Sequence, residues 1–272
     1  MIQDIYPHRF HNEFRQVEAL DTDTVFVFYR GKVLARREGN TLSCPCRKEI
    51  SSAVQFVFTI DEKAYFISNQ SQELQGYEWV DMRTVRRSKP KVLMFAIETA
   101  LHLKGWYDKN RFCGHCGRPM EKSDTERAMV CPHCHNTVYP TIAPAVIVGV
   151  IHKDSILMTR YADRNYKHYA LVAGFCEIGE TPEQTVKREV MEETGVKVKD
   201  IRYYKSQPWG FASNLLLGFF ARLDGDDQIT LDRQELSEAR FVKREDIDVD
   251  WDDVSLTNEM IIKFKQGKTE SL

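Results

Sequence analysis

One segment, GFCEIGETPEQTVKREVMEETGV, constrains the fold of this chain more than any other. Thr181 can cap a helix, Pro182 suits its first position, and Gln184 completes a capping box. Gly195 can adopt the left-handed backbone conformation that commonly ends a helix. The segment therefore predicts a helix over 182–194, and this prediction does not depend on the composition of the chain.

The predicted helix carries three glutamates on one face. Glu189, Glu192 and Glu193 are spaced i, i+3 and i+4, so their carboxylates approach and repel one another. A hard divalent cation such as Mg²⁺ or Mn²⁺ would turn that repulsion into attraction. The alternative is a solvated acidic face whose charge is balanced by Lys187 and Arg188. If the three glutamates were the only observation, this alternative would be favoured.

The spacing around the helix is more specific than the glutamates. From Gly174 to Val196 the chain fits G-x5-E-x7-R-E-U-x-E-E-x-G-U, where U is aliphatic. This resembles the Nudix box, and every defined position is met. The resemblance implies an α/β/α sandwich and hydrolysis of a nucleoside diphosphate linked to another group.

The same resemblance implies roles for individual residues. Glu189 and Glu193 are expected to be the main metal ligands, with Glu192 assisting and Arg188 orienting the carboxylates. Further expected ligands are the carbonyl of Ala173 and an acid downstream, for which Glu235 is preferred and Glu238 is the alternative. The general base stays open between Glu192, Glu193 and Glu235.

A second motif predicts a metal site of another kind. Four cysteines are spaced C-x2-C-x14-C-x2-C: Cys113, Cys116, Cys131 and Cys134. Two such turns can close a tetrahedral zinc site, and four sulfurs leave no open position, so this zinc should be structural. Redox pairs or disulfides are the alternative. His115, His133 and His135 are expected to be bystanders.

The remaining cysteines carry weaker signals. Cys176 is expected to be a small, half-buried apolar residue. Cys44 and Cys46, in the sequence CPC, could form a second metal or redox site, but the single intervening proline and the lack of a second pair argue against it.

The stretch SQPWGFASN, 206–214, resembles the SQPWPFPxS signature of bacterial NADH pyrophosphatases, which also carry a four-cysteine zinc site. The resemblance implies a nicotinamide-nucleotide pocket formed by Gln207, Pro208, Trp209, Gly210, Phe211, Ala212, Ser213 and Asn214. It extends the pocket to Tyr139, Glu126 and Arg83. Core packing is the alternative for Trp209 and Phe211. Gly210 and Ala212 replace the two prolines and Asn214 replaces serine, which predicts a looser, more permissive pocket.

The chain divides into three predicted domains. Residues 1–109 read as a small α+β domain, with hairpins at 24–37 and 53–69 and a helix after Pro90. Residues 110–140 form the zinc ribbon. Residues 141–272 mix strands with interposed helices, which suggests an α/β or α+β sandwich, and the resemblance to the Nudix family assigns them to a Nudix domain. The predicted fold class is α/β.

Composition narrows the partners and the compartment. The net charge of −2 predicts no general attraction to DNA, other nucleic acid or membrane, although basic residues cluster at 83–91. No apolar run spans a bilayer and the start does not read as a signal peptide, so we expect a cytoplasmic protein. The resemblance implies a homodimer.

The leading functional hypothesis is cleavage of the pyrophosphate of NAD(H) to nicotinamide mononucleotide and AMP. Enzymes similar to this chain also remove NAD caps from RNA. One alternative is a broader hydrolase of ADP-ribose, FAD or dinucleoside polyphosphates. The other is a nucleotide-sensing module without catalysis, which the intact set of box glutamates argues against.

Overall fold

A computed structural model describes residues 1–162 and 169–269. The chain forms two compact units. The N-terminal unit comprises Ile2–Thr141 and Gly210–Ser213, and the C-terminal unit comprises Met1, Ile142–Trp209 and Asn214–Leu272. The division into three domains stays a prediction. Within the described ranges, no helix is both long and apolar enough to cross a membrane.

The N-terminal unit opens with two small sheets. Its first eight strands are β1 (Phe10–His11), β2 (Thr24–Phe26), β3 (Phe28–Tyr29), β4 (Lys32–Glu38), β5 (Thr41–Ser43), β6 (Val54–Ile60), β7 (Lys63–Ser68) and β8 (Glu78–Asp81). One sheet has the order β1-β6-β7-β2; the other has the order β3-β4-β5, with β8 also paired to β4. The hairpin of β6 and β7 matches the prediction for 53–69.

The first half of the predicted hairpin at 24–37 is not one strand, because residues 24–30 contain both β2 and β3. β2 pairs in parallel with β7, whereas β3 pairs antiparallel with β4. Val27, between them, is fully buried and accepts a backbone hydrogen bond from Leu34. One apolar run therefore serves two sheets, which its composition alone cannot reveal.

Two helices and the ribbon complete this unit. α1 (Met82–Val85) is capped by Asp81, and α2 (Lys91–Lys109) starts after Pro90 as predicted. The ribbon is a three-stranded sheet of β9 (Glu121–Lys122), β10 (Met129–Val130) and β11 (Thr137–Val138).

The C-terminal unit is a six-stranded mixed sheet between two helices. Its elements are β12 (Ala143–His152), β13 (Ser155–Tyr161), β14 (Val172–Phe175), α3 (Pro182–Thr194), β15 (Val198–Trp209), β16 (Asn214–Leu223), β17 (Leu236–Lys243) and α4 (Leu256–Lys265). The strand order is β15-β16-β12-β13-β17, with β14 paired to β12, and β12 runs parallel to β16.

Alternate residues of β12 face opposite layers, because side chains alternate across a strand. Val146 and Val148 pack in the core that contains Val186 and Val190 of α3. Ile147 packs in the core that holds the buried residues of α4. This confirms the predicted α/β/α sandwich, preceded by a zinc ribbon and a small α+β region.

Candidate active site

Helix α3 has the bounds predicted from its caps. The Thr181 hydroxyl accepts the Gln184 N–H at 3.3 Å, and the Gln184 side chain accepts the Thr181 N–H at 2.7 Å. Gly195 ends the helix with φ of 72°. Because Val186 and Val190 are fully buried against the sheet, the rotation of the helix and its acidic face is fixed.

Arg188 gathers the acids of the box. Its guanidinium forms two bonds to Glu180, of 2.7 and 2.9 Å, and reaches Glu189 at 2.7 Å and Glu192 at 3.0 Å. It also donates to the carbonyl of Phe175 at 2.9 Å. The Arg188 guanidinium holds the pKa of Glu180 down to about 2. The motif included Glu180 without assigning it a role; the structure makes it the partner that orients Arg188.

Glu189 packs directly over Gly174 of β14. A Cβ on Gly174 would overlap the Glu189 carboxylate. The Glu189 side chain is only 12 % exposed, and burial raises its pKa, opposed by Arg188. Glycine at 174 therefore leaves room for a carboxylate to lie close against the strand.

We expect Gly174→Ala to lower activity at least about tenfold, because the added methyl displaces Glu189 and because a misplacement of about 1 Å can cost roughly 10²-fold. Turnover and the concentration of Mg²⁺ giving half-maximal rate are the measurements. Gly105→Ala on α2 is the matched control, since a Cβ there meets nothing within 4 Å. Wild-type kinetics in Gly174→Ala would show that this close approach is not needed.

Glu193 is the most buried acid of the box. It is 3 % exposed, and its Oε2 atom has no hydrogen-bond partner among the described residues. Burial, with Glu189 and Glu235 nearby, raises its pKa to about 8, while the Ala173 N–H opposes the shift. An unpaired buried carboxylate oxygen among other acids is costly unless a cation binds it.

The structure separates the two candidates for the downstream acid. Glu238 is engaged by Arg160 at 3.2 Å and Arg240 at 3.0 Å. Glu235 is exposed, and its charge raises the pKa of both Glu189 and Glu193. The geometry therefore favours Glu235 over Glu238 as the acid beside the box.

The three glutamates of the motif do not converge on one point. Glu192 is 59 % exposed and lies on Arg188, whereas Glu193 points into the protein. In the part of the chain that the structure describes, only the cysteine cluster has three or more metal-ligating atoms all within 4.8 Å of one another. The buried Glu193 has Glu189 and Glu235 as acidic neighbours, and the Ala173 N–H donates to it.

The four cysteines form a structural zinc site. The Cys113 and Cys134 sulfurs are 3.6 Å apart, and those of Cys116 and Cys131 are 3.5 Å apart. Tetrahedral zinc with Zn–S bonds of about 2.3 Å requires sulfurs about 3.8 Å apart, so the cluster fits the ion. Both loops have the same form, because the carbonyls of Cys113 and Cys131 accept N–H groups four residues on.

The positions that close these two loops are Gly117 and His135. Both have positive φ, 72° and 59° respectively. Glycine adopts this conformation readily, whereas it is uncommon for a histidine. His135 thus has a backbone role in the ribbon, which agrees with its being outside the ligand set.

The signature residues 207–214 lie at the end of β15, in the following loop and at the start of β16. Gln207 is fully buried; its side chain donates to the Val254 carbonyl at 2.8 Å and accepts the Leu256 N–H at 2.7 Å. The geometry favours a structural role for this side chain. Trp209 and Asn214 pair across the hairpin and are separated by a four-residue loop.

The loop itself, 210–213, belongs to the N-terminal unit. Gly210 is buried, Phe211 and Ser213 are half-buried, and Ala212 and the preceding Pro208 are exposed. Gly210 donates its N–H to Glu98, so it is held in place rather than loosened as the replacement of proline suggested. Arg86 lies 5.7 Å from the centre of the Phe211 ring.

Two predicted contact residues lie together in the ribbon region. The Tyr139 hydroxyl donates to Glu126 at 3.0 Å, and Tyr139 is 56 % exposed. Arg83 is exposed on α1. Glu98 and Arg86 received no site role from the sequence, because a carboxylate 112 positions from its partner leaves no spacing pattern to detect.

Comparisons with known proteins agree with this layout. Residues 141–263 match the NUDIX domain family, and residues 108–139 match the NADH pyrophosphatase zinc ribbon domain. The NAD-capped RNA hydrolase NudC of Salmonella typhi is 46 % identical over 147 residues, which are 54 % of this chain and 57 % of that protein. The NudC of Salmonella newport is 45 % identical over the same length. The match thus spans little more than half of these relatives.

Among solved structures, a NUDIX hydrolase from Nitrosomonas europaea has a TM-score of 0.50 and 24 % sequence identity. The alignment covers 57 % of this chain and 91 % of that one. This likeness concerns the fold.

Proposed function

We propose that this chain, whose residues 141–263 belong to the Nudix family and follow a zinc ribbon of the NADH pyrophosphatase type, hydrolyses the pyrophosphate of NAD(H). The products are nicotinamide mononucleotide and AMP. The observation that carries the proposal is the buried Glu193 carboxyl, whose Oε2 has no partner in the described ranges and which lies near Glu189 and Glu235.

These residues fit a hard divalent cation, because the donors are carboxylate oxygens whose charges repel one another. Glu189, Glu193 and Glu235, with the carbonyl of Ala173, are the residues that would hold Mg²⁺ or Mn²⁺. Such an ion, when bound, offsets the charge of the diphosphate oxygens and lowers the pKa of a coordinated water.

The protein's own part is positioning and proton transfer. Arg188 orients Glu189 and holds Glu192 at the surface, where Glu192 can assist in binding the ion. Gly174 lets Glu189 lie against the strand. Glu192, Glu193 and Glu235 are the candidates for the base that takes a proton from the attacking water. Residues 208–214, Tyr139, Glu126 and Arg83 are proposed to contact the dinucleotide, and the buried Gln207 is proposed to support the end of β15, where residues 208–214 begin.

The proposal includes removal of NAD caps from RNA, an activity named for the Salmonella relatives. The basic residues at 83–91 are candidates for contact with the RNA phosphates. A cytoplasmic location and a homodimer also belong to the proposal. Sedimentation of the purified protein tests the dimer.

Product analysis with NADH, NAD⁺, ADP-ribose and NAD-capped RNA, each with Mg²⁺ or Mn²⁺, tests the function. We expect release of AMP from NADH that is at least about tenfold faster than from ADP-ribose, since a pocket built for a second base adds at least about 1.4 kcal/mol of discrimination. Equal turnover of ADP-ribose would favour a broader hydrolase. Tight binding of NADH without AMP release would favour a nucleotide sensor.

A further inference from the structure

A buried carboxyl on α2 accepts a hydrogen bond from the signature loop. Glu98 is 2 % exposed, and its Oε1 accepts the Gly210 N–H at 2.5 Å. Its Oε2 has no hydrogen-bond partner in the described part of the chain. Burial raises the pKa of Glu98 to about 8, and the Gly210 N–H and Arg86 oppose that shift. A carboxyl placed at such cost indicates a specific role.

The backbone of Gly210 lies against Glu98 as closely as a glycine permits. A Cβ at this position would be 2.7 Å from Glu98 Cγ and closer still to the Glu98 carbonyl oxygen. Alanine would therefore force the loop and the helix apart. Proline would in addition remove the N–H that Glu98 accepts. Glu98 and Gly210 thus depend on each other.

The bond lies at the first residue of a short loop. Gly210 follows Trp209, the last residue of β15, and β16 begins at Asn214. Within the loop, the Ser213 N–H donates to the Gly210 carbonyl at 3.3 Å, and the ring of Phe211 lies beneath Arg86. Fixing Gly210 therefore restricts the backbone from which Phe211 projects.

We propose that Glu98 is a positioning residue that holds loop 210–213 in one conformation and thereby sets the affinity for the nicotinamide nucleotide. The inference about affinity rests on the proposed function. The inference about the loop does not. Glu98 is proposed to act through Gly210 and the loop, and not by contact with the diphosphate.

Two variants of Glu98 separate acceptor from bulk. Glu98→Gln keeps an oxygen that can accept the Gly210 N–H, whereas Glu98→Leu keeps the volume and removes the acceptor. Asp108→Asn, at an exposed position of the same helix, is the control. Hydrogen exchange of the Gly210 amide, followed by NMR, reports on the loop, and KM and kcat for NADH report on the pocket.

We expect Glu98→Leu to speed exchange at Gly210 severalfold and to raise KM severalfold, with kcat changed less than twofold. Glu98→Gln should behave like the wild type in both measurements. Unchanged exchange in Glu98→Leu would overturn the proposal. So would exchange that speeds up without a change in KM, or a Glu98→Gln variant that behaves like Glu98→Leu.

The two proposals fail in different ways. If the wild type releases no AMP from NADH, the proposed function is wrong, and the exchange rates still decide whether Glu98 holds the loop. If AMP is released and Glu98→Leu matches the wild type in KM, the function stands and the positioning role is wrong.

Discussion

Glu193→Gln is expected to fold and melt like the wild type and to hydrolyse NADH several orders of magnitude more slowly. Glutamine has the shape of a protonated carboxyl, and burial already raises the pKa of Glu193 to about 8. The substitution therefore adds no cavity, and no described residue forms a hydrogen bond to Glu193 Oε2 that could be lost. It does remove the negative charge with which this site is proposed to hold a cation.

The size of the effect follows from that charge. Loss of one preorganised group that stabilises charge in the transition state costs roughly 10²–10³ in kcat. Loss of a metal ligand adds weaker cation binding to this cost. Steady-state turnover of NADH across a range of Mg²⁺ concentrations measures both parts, and a thermal melt measures the fold.

Glu183→Gln is the matched control for this prediction. Glu183 lies on the same helix but in its first turn, and it is exposed. Its substitution should leave turnover within about a factor of two, since surface changes are usually worth less than about 0.5 kcal/mol. Near-normal activity of Glu193→Gln would remove Glu193 from the proposed site.

The sequence predicted those parts of the molecule whose causes are local. The bounds of α3 follow from Thr181 and Gln184, which cap its first turn, and from Gly195, which ends it. Each of these residues acts within four positions of its partner. The zinc site follows from two short turns of the same spacing. In both cases the pattern lies within one short stretch of the chain, so that its spacing alone identifies the structure.

The parts that the sequence did not predict depend on distant partners. The run at 24–30 is divided between two sheets because β7 and β4 pair with its two halves. The preference for Glu235 over Glu238 depends in part on Arg160, which lies on β13, the strand paired with the β17 strand that carries Glu238. Spacing in one sequence carries no record of such pairings.

The same limit explains the signature loop. Glycine in place of proline predicted a looser loop, because the only available argument was the backbone freedom of glycine. In the structure, Glu98 accepts a hydrogen bond from the Gly210 N–H and occupies the space that a Cβ at position 210 would need. A residue's conformational freedom matters only where no contact restricts it.

The other large effect is expected from removal of zinc. The ribbon, 108–139, is too short for a core of its own: chains below about 40 residues usually need a metal or disulfides to fold. Structural zinc contributes an apparent free energy of about 10–16 kcal/mol in small zinc domains. Stripping it, or making Cys131→Ser at the fully buried ligand, should lower the melting temperature by roughly ten degrees or more, since about 1 kcal/mol shifts it by about 2–4 °C in chains of this size.

The dependence of the remaining activity on Mg²⁺ should stay unchanged while the ribbon loses its metal, because a closed shell of four sulfurs offers no position to water or substrate. Cys46→Ser is the control: its hydroxyl can donate to Glu49 as the Cys46 thiol does. Calorimetry and zinc analysis on the same samples make the comparison. A zinc-free protein that melts like the wild type would contradict a structural role, whereas a shift in the Mg²⁺ requirement at constant stability would place this zinc in the chemistry.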